Sequence, residues 1–165
     1  MVERRLIVKD AEVSFSGFFK PDEVYAQVDK FIADKGYQKH EKNNYEYDYP
    51  EGKEMFVEKE PYKKITFYAK YVLNIKIMMS RVREVTVEVS KGKKEGMYRG
   101  DVKVVINGYL ETDYEHRWDK PFFFLLRHLF DHHIYKHHTE EFEAGLKEEV
   151  EHLREILKTY FNIRH

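Results

Sequence analysis

The stretch Leu73-Asn74-Ile75-Lys76-Ile77-Met78-Met79 decides how this chain folds. Apolar residues at 73, 75, 77 and 79 recur with a period of two, with Asn74 and Lys76 between them. That period turns one face of a β-strand toward a core and the other toward water. The alternation continues downstream: Val85, Val87 and Val89 form another apolar face, and Val102, Val104, Ile106 and Leu110 a third. Between them, Lys91-Gly92-Lys93-Lys94-Glu95-Gly96 reads as an exposed hairpin tip. Upstream, Tyr45, Tyr47 and Tyr49 alternate with Glu46 and Asp48, and Pro50-Glu51-Gly52 is a turn into a strand at Met55-Phe56-Val57. Residues 37 to about 113 therefore form a long antiparallel meander with one buried and one wet face.

Helices flank this sheet. Val13, Phe15 and Gly17 alternate with Glu12, Ser14 and Ser16, which predicts a first strand over residues 6–19. A helix follows, with Pro21 in its first turn, Asp22 and Glu23 at the positive end of its dipole, and Val24, Val28, Phe31 and Ile32 at helical spacing. Gly36 ends it. Pro121, after Asp119, opens an apolar helix over Phe122–Tyr135, and Thr139 is placed to cap a second one. Phe142, Leu146, Val150, Leu153, Leu157 and Tyr160, with Ile156 beside them, make that last helix long and amphipathic. The expectation is a single α+β domain over residues 1–165: strand, helix, multi-stranded antiparallel sheet over about 6–113, then C-terminal helices over about 119–163 packed on the sheet.

Composition bounds the chemistry. At 165 residues, 42% hydrophobic and 36% charged, the chain is long enough to fold alone and too charged for a membrane span. Its longest apolar run, Phe122 to Leu126, is far below the roughly 20 residues needed to cross a bilayer, and the N-terminus has no secretory apolar stretch. A cytoplasmic protein is expected. The absence of cysteine excludes disulfides, thiolate nucleophiles and iron–sulfur clusters. Scarce Asn and Gln beside abundant Glu and Lys match the composition of thermophile proteins.

The net charge of −1 hides a strong segregation. Residues 61–103 carry eleven bases, Lys63, Lys64, Lys70, Lys76, Arg81, Arg83, Lys91, Lys93, Lys94, Arg99 and Lys103, against four acids. Residues 10–60 carry 13 acids against 7 bases, and residues 139–155 carry 7 against 2. Strand alternation puts Lys70, Asn74 and Lys76 opposite the Leu73 face, where Lys103, Asn107 and Tyr109 can join them as a basic surface with a stacking aromatic. The competing expectation is that these bases pair with the acids of the same fold. Tyr45, Tyr47 and Tyr49 share one face of a strand near a sheet edge, a surface suited to contact with a second copy.

Two further clusters offer chemistry. His128 and His132, and likewise His133 and His137, stand four apart on a helix and can chelate a divalent metal if Glu111, Asp113 or His116 adds a third ligand. No HExxH pattern accompanies them, and histidines also suit a polar boundary near a helix C-terminus. The segment Glu111 to Trp118 joins carboxylates with His116 and Arg117, which serves acid–base work or an ordinary strand end.

The element order resembles the helix-grip arrangement of START and polyketide-cyclase-like proteins, in which a curved sheet wraps the last helix. The resemblance covers most of the chain and implies that architecture, and with it a carrier of an apolar ligand as one functional reading. The chain also resembles small archaeal ribosome-associated hibernation or dimerisation factors, which implies ribosomal RNA and self-association. The expectation that leads is a non-enzymatic, homodimeric factor without cofactors. It binds structured RNA through its basic sheet and the Lys91 to Arg99 hairpin. A metal-dependent enzyme ranks after the ligand carrier.

Overall fold

The computed structural model describes residues 2–112 and 135–163. Its elements are β1 (Glu3–Phe19), α1 (Pro21–Asp34), β2 (Glu41–Tyr49), β3 (Gly52–Lys59), β4 (Tyr62–Lys64), β5 (Ala69–Ser90), β6 (Lys93–Thr112) and, numbered here as α2, the helix Tyr135–Ile163. The six strands form one antiparallel sheet in the order β1-β6-β5-β3-β2, with β4 also on β5. This is the expected α+β class, with both helices packed against the sheet.

The period-two stretches behave as their spacing requires. Leu73, Ile75, Ile77 and Met79 of β5 and Val102, Val104, Ile106 and Leu110 of β6 are all buried on one face. Against that face α2 sets Leu146, Val150, Leu153, Leu157 and Phe161, while α1 contributes Val24, Val28, Phe31 and Ile32. Phe161, one residue beyond the stripe read from the sequence, stacks on Phe15 with ring centroids 4.7 Å apart. Among the described residues grooves open on the outer sheet face and between α1 and α2.

Several expectations need correction. The first strand begins at Glu3 rather than residue 6. Val85 and Val87 are only half-buried and Val89 is exposed, because β5 and β6 run on past both neighbours: β3 last pairs at Val82 and β1 at Tyr98. Lys93 to Gly96 belong to β6, so the hairpin tip is the turn Lys91-Gly92 alone. Thr139 lies inside α2 instead of capping it, since the chain is already helical at Tyr135 and no Pro or Gly intervenes. The apolar helix expected over 122–135 lies outside the described residues, except for Tyr135.

Strands of this length accumulate twist and must be bent to stay on one core. Two bulges supply the bend. Asp10 in β1 (φ 50) and Arg81 in β5 (φ 53) adopt the left-handed conformation, and the pairing register shifts at both places. The Asp10 N–H donates to Asn107 Oδ1 at 2.8 Å. Around Arg81 the neighbouring strands close tightly. A Cβ on Gly52 would stand 2.7 Å from the Arg81 carbonyl carbon, and one on Gly100 would stand 2.9 Å from the Ser80 carbonyl oxygen. Gly52 also has φ 137, which side-chain-bearing residues rarely adopt. Gly52→Ala should therefore lower unfolding free energy by about 3 kcal/mol in chemical denaturation, from backbone strain and overpacking together; an unchanged midpoint would show that the bulge does not depend on this glycine.

Tyrosines tie α2 to the sheet. Tyr37 donates its hydroxyl to Glu149, and the same carboxylate pairs with Lys63. Tyr71 donates to the Phe142 carbonyl at 2.7 Å. Burial pushes the phenols of Tyr71 and Tyr25 up to about 12. Burial, reinforced by the Glu149 hydrogen bond, pushes Tyr37 up as well. The folded state thus favours the neutral phenol, so this stabilisation is complete below the unfolded tyrosine value of about 10 and is lost as pH rises from there. In an ultraviolet pH titration these three should ionise only together with unfolding, after the exposed tyrosines; smooth ionisation of all of them near pH 10 in folded protein would contradict it.

Candidate nucleic-acid interface

The face of the sheet opposite the helices collects most of the basic residues singled out in the sequence. Cross-strand register sets Lys70 opposite Glu111, Val72 opposite Tyr109, Asn74 opposite Asn107, Lys76 opposite Val105 and Met78 opposite Lys103. The expected surface of Lys70, Lys76, Lys103 and Tyr109 is therefore contiguous. Much of its charge is already matched. Lys70 bonds Glu111 at 2.7 Å and Lys103 bonds Glu12 at 3.1 Å. Lys76 stands opposite Glu58, whose carboxyl is held below its usual range by hydrogen bonds from Asn74 and Asn43. Arg4 lies 4.1 Å over the Tyr109 ring and occupies the stacking position expected for a base.

Lys63 leaves this surface altogether. Its ammonium is directed to Glu149 of α2 and lies 4.8 Å from the Tyr37 ring centre, with its side chain 19% exposed. Its role is to join β4 to the last helix. Lys64, next along β4, is exposed and stands opposite Lys70.

The remaining cations gather at the Arg81 bulge and beyond it. Arg81, Arg83 and Arg99 line an open groove of about 740 Å³, together with Asp101 and Glu51. Arg81 pairs with Asp101, its Nε donating to Oδ2 at 2.7 Å. A hydrogen bond from the Ser16 hydroxyl and then this guanidinium hold the Asp101 carboxyl below its usual range. Arg83 donates to the Glu51 backbone carbonyl at 2.7 Å, and Arg99 lies 5.7 Å over the Phe18 ring.

Arg83 and Arg99 are directly opposed in the ladder. Like charges facing each other across strands destabilise a sheet. Among the described residues neither has a carboxylate within ion-pair distance; Arg83 is directed to the Glu51 carbonyl and Arg99 to the Phe18 ring. Past them the β5–β6 hairpin extends as a two-stranded arm to Lys91, Lys93 and Lys94, all exposed. The arm's acids are partly engaged: Glu95 pairs with Lys20, and Glu88 accepts from the Gly92 N–H. The result is a groove whose arginines present donors to multidentate oxyanions, with Lys91, Lys93 and Lys94 at the tip of the arm beyond it.

β2 forms one lateral edge of the sheet. Tyr45, Tyr47 and Tyr49 are 47%, 54% and 49% exposed, and Tyr45 stacks on Phe56 at 4.8 Å. Of the histidine cluster, His128, His132 and His133 lie outside the described residues, as do Asp113 and His116, and His137 falls near the start of α2. Glu111, named as a third ligand, is instead held by Lys70 and Arg4. Among the described residues no three His, Asp or Glu side chains converge to hold a metal. Sequence reasoning missed Arg4, Ser16, Glu51 and Asp101, because nothing local marks a residue that becomes a neighbour only through strand register.

Replacing Arg99 by Gln removes one half of the opposed pair and leaves the Arg83 hydrogen bond in place. The melting temperature should stay level or rise by about 1–2 °C; a fall of several degrees would make Arg99 a structural residue. No family model, curated protein or solved structure matches the chain.

Proposed function

We propose that this chain is a non-enzymatic, homodimeric factor that binds structured RNA on the ribosome through the arginine groove and the β5–β6 arm. The observation that carries the reading is the pair Arg83 and Arg99, opposed in strand register and both lining the groove, with no carboxylate ion-paired to either among the described residues. Phosphate between them relieves the repulsion and accepts bidentate hydrogen bonds from both guanidinium groups. Arg81 supports it: a side-chain-bearing residue keeps a left-handed backbone that glycine would adopt without strain, and its exposed guanidinium enters the groove. Lys91, Lys93 and Lys94 add cations at the tip of the arm, where Glu88 stands opposite Lys94. The paired lysines Lys70 and Lys103, and Lys63 on the helix side, contribute little to this binding.

The reading differs from a uniformly basic surface in what mutation should do. Binding of ribosomal subunits, or of a fluorescent RNA hairpin, should weaken linearly with the logarithm of salt concentration. Arg83→Gln with Arg99→Gln should weaken it at least tenfold and reduce the salt slope by about two. Lys93→Glu with Lys94→Glu should weaken it comparably, whereas Lys103→Gln should change affinity less than about twofold because Glu12 already neutralises that charge. Binding that is absent at low salt, or indifferent to the arginine pair, would refute the proposal.

A further inference from the structure

A carboxylate is an unexpected lining for an anion-binding groove, yet Asp101 stands inside this one. Cross-strand register places it between two hydroxyls, Ser16 on β1 and Ser80 on β5, and all three line the outer sheet face. Two residues back along β6, Arg99 stands opposite Arg83. Residues two apart on a strand share a face and lie about 7 Å apart. A row of oxygens therefore adjoins a row of guanidinium groups.

Asp101 is held ionised and oriented. The Ser16 hydroxyl donates to Oδ1, while Arg81 Nε and Nη2 donate to Oδ2 at 2.7 and 2.5 Å. A carboxylate offers about four acceptor sites. Three are used, so Oδ1 keeps one, and no other described residue donates to it. The hydrogen bond from Ser16, and then the Arg81 guanidinium, hold the carboxyl below its usual range, so at neutral pH it accepts and does not donate. Its side chain is 27% exposed. Because Arg81 offsets the charge of Asp101, Arg83 and Arg99 still give the groove its pull on an anion.

We propose that Asp101 reads the ribose: with a phosphate on Arg83 and Arg99, the remaining Oδ1 site accepts a hydrogen bond from the 2′-hydroxyl of the adjoining sugar, so the groove selects RNA over DNA. The inference rests on the RNA reading proposed above and names the residue that tells the two polymers apart. The match is chemical. Phosphate oxygens only accept, which suits the arginine row, whereas the 2′-hydroxyl is a donor that RNA carries and DNA lacks. An ionised carboxylate is a strong partner for such a hydroxyl and a poor neighbour for a phosphate, so it also fixes which part of the strand lies over it. A groove that needed only to clamp phosphate would be served better by an unpaired Arg81.

A fluorescent RNA hairpin and the same hairpin with 2′-fluoro sugars separate these roles, since fluorine preserves the A-form sugar pucker but cannot donate. At one salt concentration the native protein should bind the hydroxyl form at least tenfold more tightly. Asp101→Ala, which has no acceptor, should bring the two hairpins within twofold of each other. Asp101→Asn, which keeps the shape and a neutral acceptor, should leave a preference of about threefold. Equal binding of both hairpins by the native protein overturns the inference. So does a tenfold preference that survives both substitutions, which would make Asp101 only the counterion of Arg81. Either result leaves the arginine groove standing if Arg83→Gln with Arg99→Gln weakens the two hairpins alike. A native protein that binds neither hairpin at low salt overturns that reading and this inference together.

Discussion

Pairing of β5 with β6 is the constraint on which the rest of the molecule depends. These two strands run together from Ala69 opposite Thr112 to Ser90 opposite Lys93 and carry β1 on one flank and β3 and β4 on the other, with β2 added through β3. The register does more than align hydrogen bonds. It gathers Leu73, Ile75, Ile77 and Met79 with Val102, Val104 and Ile106 into the face that α2 covers, and a one-residue slip would turn that whole set toward water.

The same pairing creates the strain that shapes the candidate site. So long a hairpin cannot remain flat, and the bend is concentrated at Arg81, where Gly52 and Gly100 let the adjacent backbones close in. Bending there opens the groove lined by Arg81, Arg83 and Arg99 and marks where the flanking strands stop. Beyond it the hairpin stands alone. Core, bend and arm are thus three consequences of one ladder, and the cations sit where the ladder loses its neighbours.

Electrostatics divides the basic block in two. Where the sheet is fully flanked, strand register delivers acids to bases, as in Lys70 with Glu111 and Lys103 with Glu12, and the surface is close to neutral. At the bend fewer strands are present to supply carboxylates, and among the described residues neither Arg83 nor Arg99 has an ion-paired one, while on the arm Glu88 stands opposite Lys94. Exposed ion pairs contribute little stability each, so the arrangement matters mainly for where positive potential remains. The second edge, β2, pairs with no strand on its outer side among the described residues.

The sequence by itself determined the fold class, the buried face and the bounds of α1, because periods of two and 3.6 and the Pro21 and Gly36 signals are local properties that survive in any register. It also marked the tyrosine strand and the basic block. Tertiary structure alone decided which charges meet. Nothing near Lys63 in the chain announces Glu149, nothing near Lys103 announces Glu12, and the opposition of Arg83 to Arg99 follows from the register shift at the Arg81 bulge. Helix and strand propensities act over a few residues, whereas electrostatic partners are chosen by long-range pairing, and only the folded sheet sets the distances on which a charge depends.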